Sequence, residues 1–152
     1  MGYIGIIAVV ALATCQVAIA GECPWGWERL RDRCYKRTDS RSVFARQNLE
    51  CMMAEAGATI AGIHSYEENE LMRRLAYGEE IWTGAVAYIG QPWAWTDNEY
   101  WPGPYANWKE GSEPYPKGNA PCAKLLDDGT WEAVCCRCKP MYAVCSVKVP
   151  TD

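Results

Sequence analysis

The chain has 152 residues, and its formal net charge at pH 7 is -4. This length allows one domain with a substantial hydrophobic core and is too short for two ordinary domains. Lysine and arginine form no continuous run, which excludes a nucleic-acid-binding protein, because such proteins need a clustered basic surface.

The first twenty residues have the pattern of a secretory signal peptide. Residues 4–20 carry no charge and end in Ala18-Ile19-Ala20, the small-x-small pattern after which signal peptidase cuts. A membrane anchor is less favoured, because the apolar run is short and contains Gln16. We therefore predict a signal peptide over residues 1–20, one domain over residues 21–152, and a secreted, extracellular protein that is not attached to a membrane after cleavage.

Cleavage would remove Cys15 and leave eight cysteines, an even number that indicates disulfide bonds in a secreted chain. They are Cys23, Cys34, Cys51, Cys122, Cys135, Cys136, Cys138 and Cys145. A zinc site formed by the cluster at residues 135–138 with His64 is the weaker alternative in an oxidising compartment.

The mature chain begins with a predicted hairpin. Cys23 and Cys34 flank a short charged turn, so we expect a local disulfide to close it. The basic residues near this hairpin alternate with other residues and are expected to form a solvated strand face. They are Arg29, Arg31, Arg33, Lys36 and Arg37.

A first helix is predicted after the hairpin. It would start from a cap at Ser40 or Ser42, continue to about Glu55 and end at Gly57. Its buried face is expected to contain four residues at helical spacing, namely Phe44, Asn48, Cys51 and Met52. A short apolar strand over residues 58–63 follows.

A second helix has a stronger local signal. Ser65 and Glu68 form a capping box, and Gly78 marks the end of the helix. The apolar stripe is Leu71, Met72 and Leu75. His64 precedes the cap, and we interpret it as structural because no serine or cysteine nucleophile motif accompanies it.

The rest of the chain predicts short strands over residues 81–86, 93–98, 123–126, 130–134 and 142–147. Because two helices come first and most strands come later, the pattern indicates an α+β domain with mainly antiparallel strands.

A long loop is predicted over residues 107–122. It contains three prolines and two glycines, so neither a helix nor a central strand can pass through it. Ordered loops of this length in a compact domain usually carry function. Trp108 near its start and Cys122 at its end are expected to anchor it as a binding loop.

A series of short motifs runs in order along the mature chain. They are Cys23-Pro-Trp-Gly-Trp, Cys34-Tyr, Phe44 seven positions before Cys51, Ala61-Gly-Ile-His-Ser, Glu68-Asn69, Trp82-Thr-Gly-Ala, Trp95-Thr-Asp, Asn107-Trp108, the Gly-x-Glu-Pro segment from Gly111 to Pro114, Cys122, Gly129-Thr-Trp131, Cys136 and Cys145. This series resembles the C-type lectin-like domain family over residues 23–147. The resemblance implies an α+β C-type lectin-like fold with two helices, mainly antiparallel strands and a long loop region stapled by disulfides.

The resemblance also implies a disulfide pattern. It pairs Cys51 with Cys145 and Cys122 with Cys136, and it makes Cys23–Cys34 the optional N-terminal bridge. Two cysteines, Cys135 and Cys138, then remain. They would pair with each other, compete with Cys136 for Cys122, or bind another chain.

Family members that bind sugar do so through a calcium ion, and calcium takes 6 to 8 oxygen ligands. The resemblance places the protein ligands at Glu113, Tyr115, Ala120, Glu132 and Ala133. Only Glu113 matches the family pattern, and Asn119 supplies an oxygen one position out of register. We therefore expect no cofactor, and any calcium at Glu113 would be bound weakly.

Our first functional hypothesis is a secreted recognition module that binds carbohydrate with little or no dependence on calcium. The candidate ligand-binding residues are Asn107, Glu113, Tyr115, Asn119, Trp131 and Glu132. By the same resemblance the Glu113-Pro114 bond is expected to be cis, and Tyr115-Pro116 is a second candidate.

The alternative hypothesis is a protein-binding or oligomer-forming module that does not bind sugar. The predicted partners are accordingly a glycan or glycoprotein, or a protein ligand, and the oligomer would be disulfide-linked or non-covalent. An enzyme is least favoured and no catalytic residue is assigned, because the carboxylate pair Asp127-Asp128 beside Gly129 is typical of a turn.

Overall fold

The computed structural model describes residues 21–87, 91–112 and 121–150. These residues contain two helices and eight strands. The helices are α1 (Phe44–Ala54) and α2 (Tyr66–Ala76). The strands are β1 (Glu28–Leu30), β2 (Arg33–Arg37), β3 (Thr59–Ile60), β4 (Ile81–Ala87), β5 (Trp93–Trp95), β6 (Cys122–Leu125), β7 (Trp131–Val134) and β8 (Tyr142–Lys148). No helix within these ranges is long and apolar enough to cross a membrane.

The strands hydrogen-bond in the order β1-β2-β8-β4-β6-β7, while β3 pairs with β8 and β5 pairs with β4. The pairing of β4 with β8 is parallel, and the other strand pairings are antiparallel. Strand β4 is almost entirely buried, as expected for a strand with neighbours on both sides. The predicted α+β class with mainly antiparallel strands is confirmed.

Helix α1 starts differently from the prediction. Its N-cap is Val43, whose side chain forms no capping hydrogen bond, so the expected cap at Ser40 or Ser42 is wrong. The backbone N–H and C=O of Ser42 instead pair with Met141 in an isolated bridge. This contact between distant parts of the chain replaces the local cap.

The buried face of α1 contains Phe44, Gln47 and Cys51. Met52 was expected on this face, but it is 55% exposed. At about 100° per residue, Met52 is turned roughly 80° from Phe44 and falls outside the buried stripe. Asn48 lies at the edge of the stripe, where its Oδ1 accepts a hydrogen bond from the Ile60 N–H.

Helix α2 agrees with the sequence prediction. The Ser65 hydroxyl accepts a hydrogen bond from the Glu68 N–H at 3.2 Å, which confirms the cap. The helix ends at Ala76, and Tyr77 then takes a left-handed conformation with φ of 52° before Gly78. Its buried residues are Asn69, Leu71, Met72 and Ala76.

Strands β1 and β2 form the predicted N-terminal hairpin. Arg29 and Arg31 are exposed, as expected for a solvated strand face. Arg33 is an exception, since it is only 7% exposed and its guanidinium lies 3.6 Å from the Asp97 carboxylate. The sequence prediction for Arg33 was wrong because its charge is balanced by a residue that follows β5.

Four disulfides join all eight cysteines of the described residues. The pairs are Cys23–Cys34, Cys51–Cys145, Cys122–Cys136 and Cys135–Cys138. Cys51–Cys145 connects α1 to β8 through the core, where the Phe44 and Trp82 rings also meet edge to face at 5.8 Å. The pairing of Cys135 with Cys138 is one of the three alternatives that the sequence left open.

Candidate functional site

The start of the long loop is attached to β7. The Trp131 N–H donates to the Asn107 carbonyl at 2.8 Å, and the Lys109 N–H donates to the Trp131 carbonyl at 2.9 Å. These bonds form a parallel bridge between Trp108 and Trp131. Further along, the Ser112 hydroxyl accepts a hydrogen bond from the Ala133 N–H at 3.1 Å. The loop therefore follows β7 for several residues.

The end of the loop is attached to β4 and β6. The Pro121 carbonyl accepts a hydrogen bond from the Ala87 N–H at 2.7 Å. Cys122 is fully buried, is bonded to Cys136, and pairs with Val134 across the β6–β7 ladder. Strand β7 thus lies between the start of the loop and β6, so the two ends of the loop are fixed next to the same strand.

Three candidate ligand-binding residues, Glu113, Tyr115 and Asn119, lie outside the described residues. The two candidate cis peptides at Pro114 and Pro116 lie in the same segment. Their proposed roles stay predictions. Asn107, Trp131 and Glu132 are described, and they come together around the start of β7.

Asn107 contributes to the attachment of the loop. Its side-chain amide is half-buried, and Nδ2 donates to the Gly129 carbonyl at 2.7 Å. The same carbonyl accepts a second hydrogen bond from Asn69 Nδ2 at 3.0 Å. Asn107 is therefore engaged in holding the loop against the turn that precedes β7.

Trp131 is a core residue. It is 1% exposed, and its indole Nε1 donates to Asn69 Oδ1 at 2.8 Å. Its ring centroid lies 5.6 Å from that of Trp95 and 5.6 Å from that of Trp108. The side chain of Trp131 is thus not available to a ligand, and its role is to support the strand beneath the loop.

The aromatic cluster around Trp131 includes Trp108 at the start of the loop. It contains Trp93, Trp95, Trp101, Tyr105 and Trp108. Trp93 and Trp95 are buried, as their alternation in β5 would indicate. The sequence contains many tryptophans but gives no sign that several of them pack together in one cluster.

Glu132 is paired with lysine side chains. Its carboxylate lies 3.2 Å from Lys124 Nζ and 3.9 Å from Lys109 Nζ. Lys124 faces Glu132 directly in the β6–β7 ladder and also contacts Glu80 at 2.8 Å. Glu80 in turn contacts Lys139 at 2.7 Å. Two carboxylates and three ammonium groups therefore form a connected network beside the loop.

Lys124 is the most buried member of the network: its side chain is only 14% exposed and contacts both carboxylates. Burial opposes the charge of Lys124, but the hydrogen bonds to Glu80 and Glu132 outweigh burial and raise its pKa. The same lysine, together with Lys139, holds the pKa of Glu80 below its usual value through hydrogen bonds. Lys124 and Glu80 are therefore both charged at neutral pH.

The described part of the family's calcium position does not fit calcium. The carboxylate of Glu132 is neutralised by Lys124 and Lys109, which would repel a divalent cation. Ala133 has no side-chain oxygen. In the described ranges, no group of three or more His, Cys, Asp or Glu side chains is placed to hold a metal ion.

A second polar cluster lies at the junction of β3 and α2. His64 Nε2 is 2.8 Å from Asp97 Oδ2, and the Arg33 guanidinium lies 3.2 Å from the Glu99 carboxylate. Glu68 accepts a hydrogen bond from the His64 N–H at 2.6 Å. Burial opposes the charge on His64, but the hydrogen bond and charge of Asp97 outweigh it, so the His64 pKa is raised.

The His64–Asp97 pair is closely packed against the backbone at Gly62. A Cβ atom on Gly62 would lie 2.5 Å from both Asp97 Oδ2 and His64 Nε2, so only glycine fits beside the pair. The contacts connect β2, the start of α2 and the segment after β5. The interpretation of His64 as a structural residue agrees with these contacts.

Comparison with known proteins gives the same family as the sequence motifs. Residues 40–147 match the model of the lectin C-type domain. The human C-type lectin domain family 10 member A is 27% identical over 145 residues, which are 87% of this chain and 45% of that protein. The type-2 ice-structuring protein of Hemitripterus americanus is 34% identical over 86 residues, which are 57% of this chain and 50% of that protein.

The fold has close structural relatives. The C-type carbohydrate-recognition domain of cow CD23, solved in the presence of GlcNAc2Man3 oligosaccharide, superposes with a TM-score of 0.73 at 25% identity. The match covers 84% of this chain and 96% of that chain. The present chain spans about half the length of the curated relatives that it matches.

Proposed function

This chain belongs to the C-type lectin domain family, and from that premise we propose that it is a secreted recognition module that binds carbohydrate without an effective calcium site. One observation carries the proposal. The loop is fixed at both ends beside β7, while Glu132, the described carboxylate at the calcium position that the resemblance implies, is already paired with Lys124 and Lys109.

The proposed binding surface consists of the loop and the half-buried residues of β7 beside it. Glu113, Tyr115, Asn119 and Glu132 would contact the ligand, while Asn107 and Trp131 hold the start of the loop against β7. A tyrosine ring beside carboxylate and amide oxygens suits stacking on a sugar face and hydrogen bonding to its hydroxyl groups. Lys109, which is half exposed next to Glu132, adds a hydrogen-bond donor at the rim.

Secretion is part of the proposal. Residues 1–20 would act as a signal peptide, and residues 21–152 would form the secreted domain. Four disulfides in a domain of this size favour an oxidising compartment. The proposed partner is a glycan or glycoprotein, with no nucleic acid and no membrane attachment after cleavage. C-type lectin domains are generally not enzymes, and we propose no catalytic activity.

The second candidate is a protein-binding or oligomer-forming module with no sugar binding. An exposed apolar strip on α1 favours it, because contiguous apolar surface often marks protein contacts. The strip contains Leu49, Met52 and Met53, which are 48%, 55% and 79% exposed. The relative named for ice structuring also indicates that members of this family differ in what they recognise.

A glycan array probed with the secreted protein separates the two candidates. We expect binding to at least one glycan that is equal in calcium and in EDTA. Tyr115→Ala should abolish this binding with little change in stability, because Tyr115 belongs to a proline-rich loop that we expect to lie at the surface. Tyr100→Ala is the matched control, since Tyr100 is 81% exposed and is not among the candidate site residues.

Two results would reject carbohydrate binding through this loop, namely no glycan binding at all, or equal binding by wild type and Tyr115→Ala. Binding that disappears in EDTA would reject the calcium-independent mechanism. If no glycan binds, sedimentation of wild type and a Met53→Lys variant tests the second candidate. A self-associated wild type and a monomeric variant would support it.

A further inference from the structure

The Cys135–Cys138 disulfide differs from the other three in its exposure. Cys138 is exposed and Cys135 is half-buried. Each of the other three bridges contains a fully buried cysteine, namely Cys34, Cys51 and Cys122. Thiol–disulfide exchange needs access of a thiolate to a sulfur atom. An external thiolate therefore reaches the Cys135–Cys138 bond most easily.

This bridge also contributes least to the fold. It closes a sequence separation of 3, against 11, 14 and 94 for the others. The chain entropy that a disulfide removes from the unfolded state grows with the length of the closed loop. Cys135 and Cys138 lie between β7 and β8, in a turn and outside every strand. Opening this bond should leave the sheet and the other bridges intact.

The surroundings of the bridge favour a thiolate. Arg137 and Lys139 flank Cys138 in the sequence and are exposed. Positive side chains and a spacing of two residues between cysteines both favour the thiolate form of cysteine. The Lys139 ammonium already pairs with the Glu80 carboxylate, so we expect Arg137 to favour the thiolate form more strongly than Lys139 does.

A cavity next to the bridge offers space for an incoming group. Its volume is about 390 Å³, and both cysteines line it. Trp82 and Met141 form apolar parts of its wall. Lys124 and Lys139 also line it, and they belong to the network with Glu80 and Glu132, in which three lysines face two carboxylates. A thiol that carries carboxylates matches this lining better than an uncharged thiol.

We propose that Cys135–Cys138 is a thiol–disulfide exchange site at which an external thiolate becomes covalently attached to the protein. The thiolate attacks Sγ of Cys138, the more exposed sulfur. A new bond forms between the two sulfurs, the Cys135–Cys138 bond breaks, and Cys135 leaves as a thiolate that takes up a proton from water. One disulfide replaces another, so no oxidant or reductant is consumed. The proposal is independent of sugar binding.

The thiolate has two sources with the same chemistry: a small acidic thiol such as glutathione, or a cysteine of a second copy of this chain. In one arm of the test, the intact secreted protein is incubated with reduced glutathione, alkylated, and mapped by mass spectrometry without reduction. In the other arm, the protein is incubated alone with a trace of thiol and examined for disulfide-linked dimers.

We expect glutathione on Cys138 and an alkylated Cys135, formed at least about ten-fold faster than any adduct on the other six cysteines. Dimers joined through Cys138 would identify the second copy as an additional source. Cys135→Ser/Cys138→Ser should form neither product. Cys23→Ser/Cys34→Ser is the matched control, since it removes another bridge with a short sequence separation and should react like wild type.

Other outcomes would overturn the proposal. These are adducts formed first on Cys23 or Cys34, simultaneous opening of several bridges, transfer of Cys122 from Cys136 to another cysteine, or no adduct and no dimer. If the double serine variant fails to fold, Arg137→Glu decides the question, because its fold should be unchanged. A rate equal to that of wild type would then contradict the role given to Arg137, and the absence of adducts in wild type would contradict the site itself.

Discussion

Asn69 and Trp131 are joined by a hydrogen bond in the core, in which the indole Nε1 donates to Asn69 Oδ1 at 2.8 Å. The other end of the same amide donates to the Gly129 carbonyl at 3.0 Å. Both side chains are 1% exposed. A single side chain on α2 therefore fixes the start of β7, the strand against which the candidate binding loop lies.

Replacing this amide should destabilise the domain. We expect Asn69→Leu to lower the free energy of unfolding by about 1–3 kcal/mol, because the buried Trp131 N–H loses its partner. Urea unfolding monitored by tryptophan fluorescence measures the change. Glu70→Gln is the control one residue further along α2, where the exposed pair with Arg73 should contribute no more than about 1 kcal/mol. Equal effects of the two variants would contradict the importance of the Asn69 contact.

Local signals predicted α2 well and α1 less well. Ser65 and Glu68 are three residues apart, so their capping interaction can be read from the sequence. The start of α1 depends instead on the bridge between Ser42 and Met141, which are distant in the chain. A favourable local cap was displaced by a contact that no local pattern reveals.

The charge pairs around the site also show that a pair set by a local turn can be predicted from the sequence, while a pair set by long-range packing cannot. Lys124 and Glu132 face each other because the short turn between β6 and β7 sets the register, and counting four residues in each direction from Asp128 would have found the pair. Arg33 and Asp97 are brought together by the packing of the hairpin on the segment after β5. Their separation in sequence gives no indication of the contact, so Arg33 was misplaced on the solvated face.

Calcium should bind the wild-type protein with a dissociation constant in the millimolar range or weaker, because few anionic ligands remain and Glu132 is paired with lysines. Isothermal titration calorimetry measures the constant. Glu113→Gln and Glu132→Gln should show equally weak binding. A micromolar constant in wild type that either variant removes would contradict this prediction and restore a calcium-dependent mechanism.

Lys124 should contribute more to stability than the other lysine bound to Glu80. Its side chain is 14% exposed and lies between Glu80 and Glu132, so Lys124→Met should cost about 1–2 kcal/mol, between the values for exposed and buried pairs. Lys139→Met is the matched control, because Lys139 also contacts Glu80 but is 64% exposed. Its effect should stay below about 1 kcal/mol. Chemical denaturation of both variants tests the order, and a larger effect at Lys139 would contradict it.

The contact between His64 and Asp97 should make stability depend on pH. Burial opposes the imidazolium, but the hydrogen bond and charge of Asp97 and the charge of Glu68 outweigh burial and the opposing charge of Arg33, so the His64 pKa is raised above its usual 6.5. The folded protein therefore binds this proton more tightly than the unfolded chain does. The resulting stabilisation is fully present below pH 6.5 and is lost as the pH rises through the folded-state pKa.

We expect the free energy of unfolding of wild type, relative to that of His64→Gln, to fall as the pH rises from 6.5 into the alkaline range, because His64→Gln has no group titrating at this position. Asp97 does not contribute in this window: burial opposes its charge, but the hydrogen bond from His64 outweighs burial and lowers the Asp97 pKa, so its own titration lies in acid. Urea unfolding of both proteins across the range gives the difference at each pH. A difference that is constant, or that grows in favour of wild type as the pH rises, would contradict a charged His64 paired with Asp97.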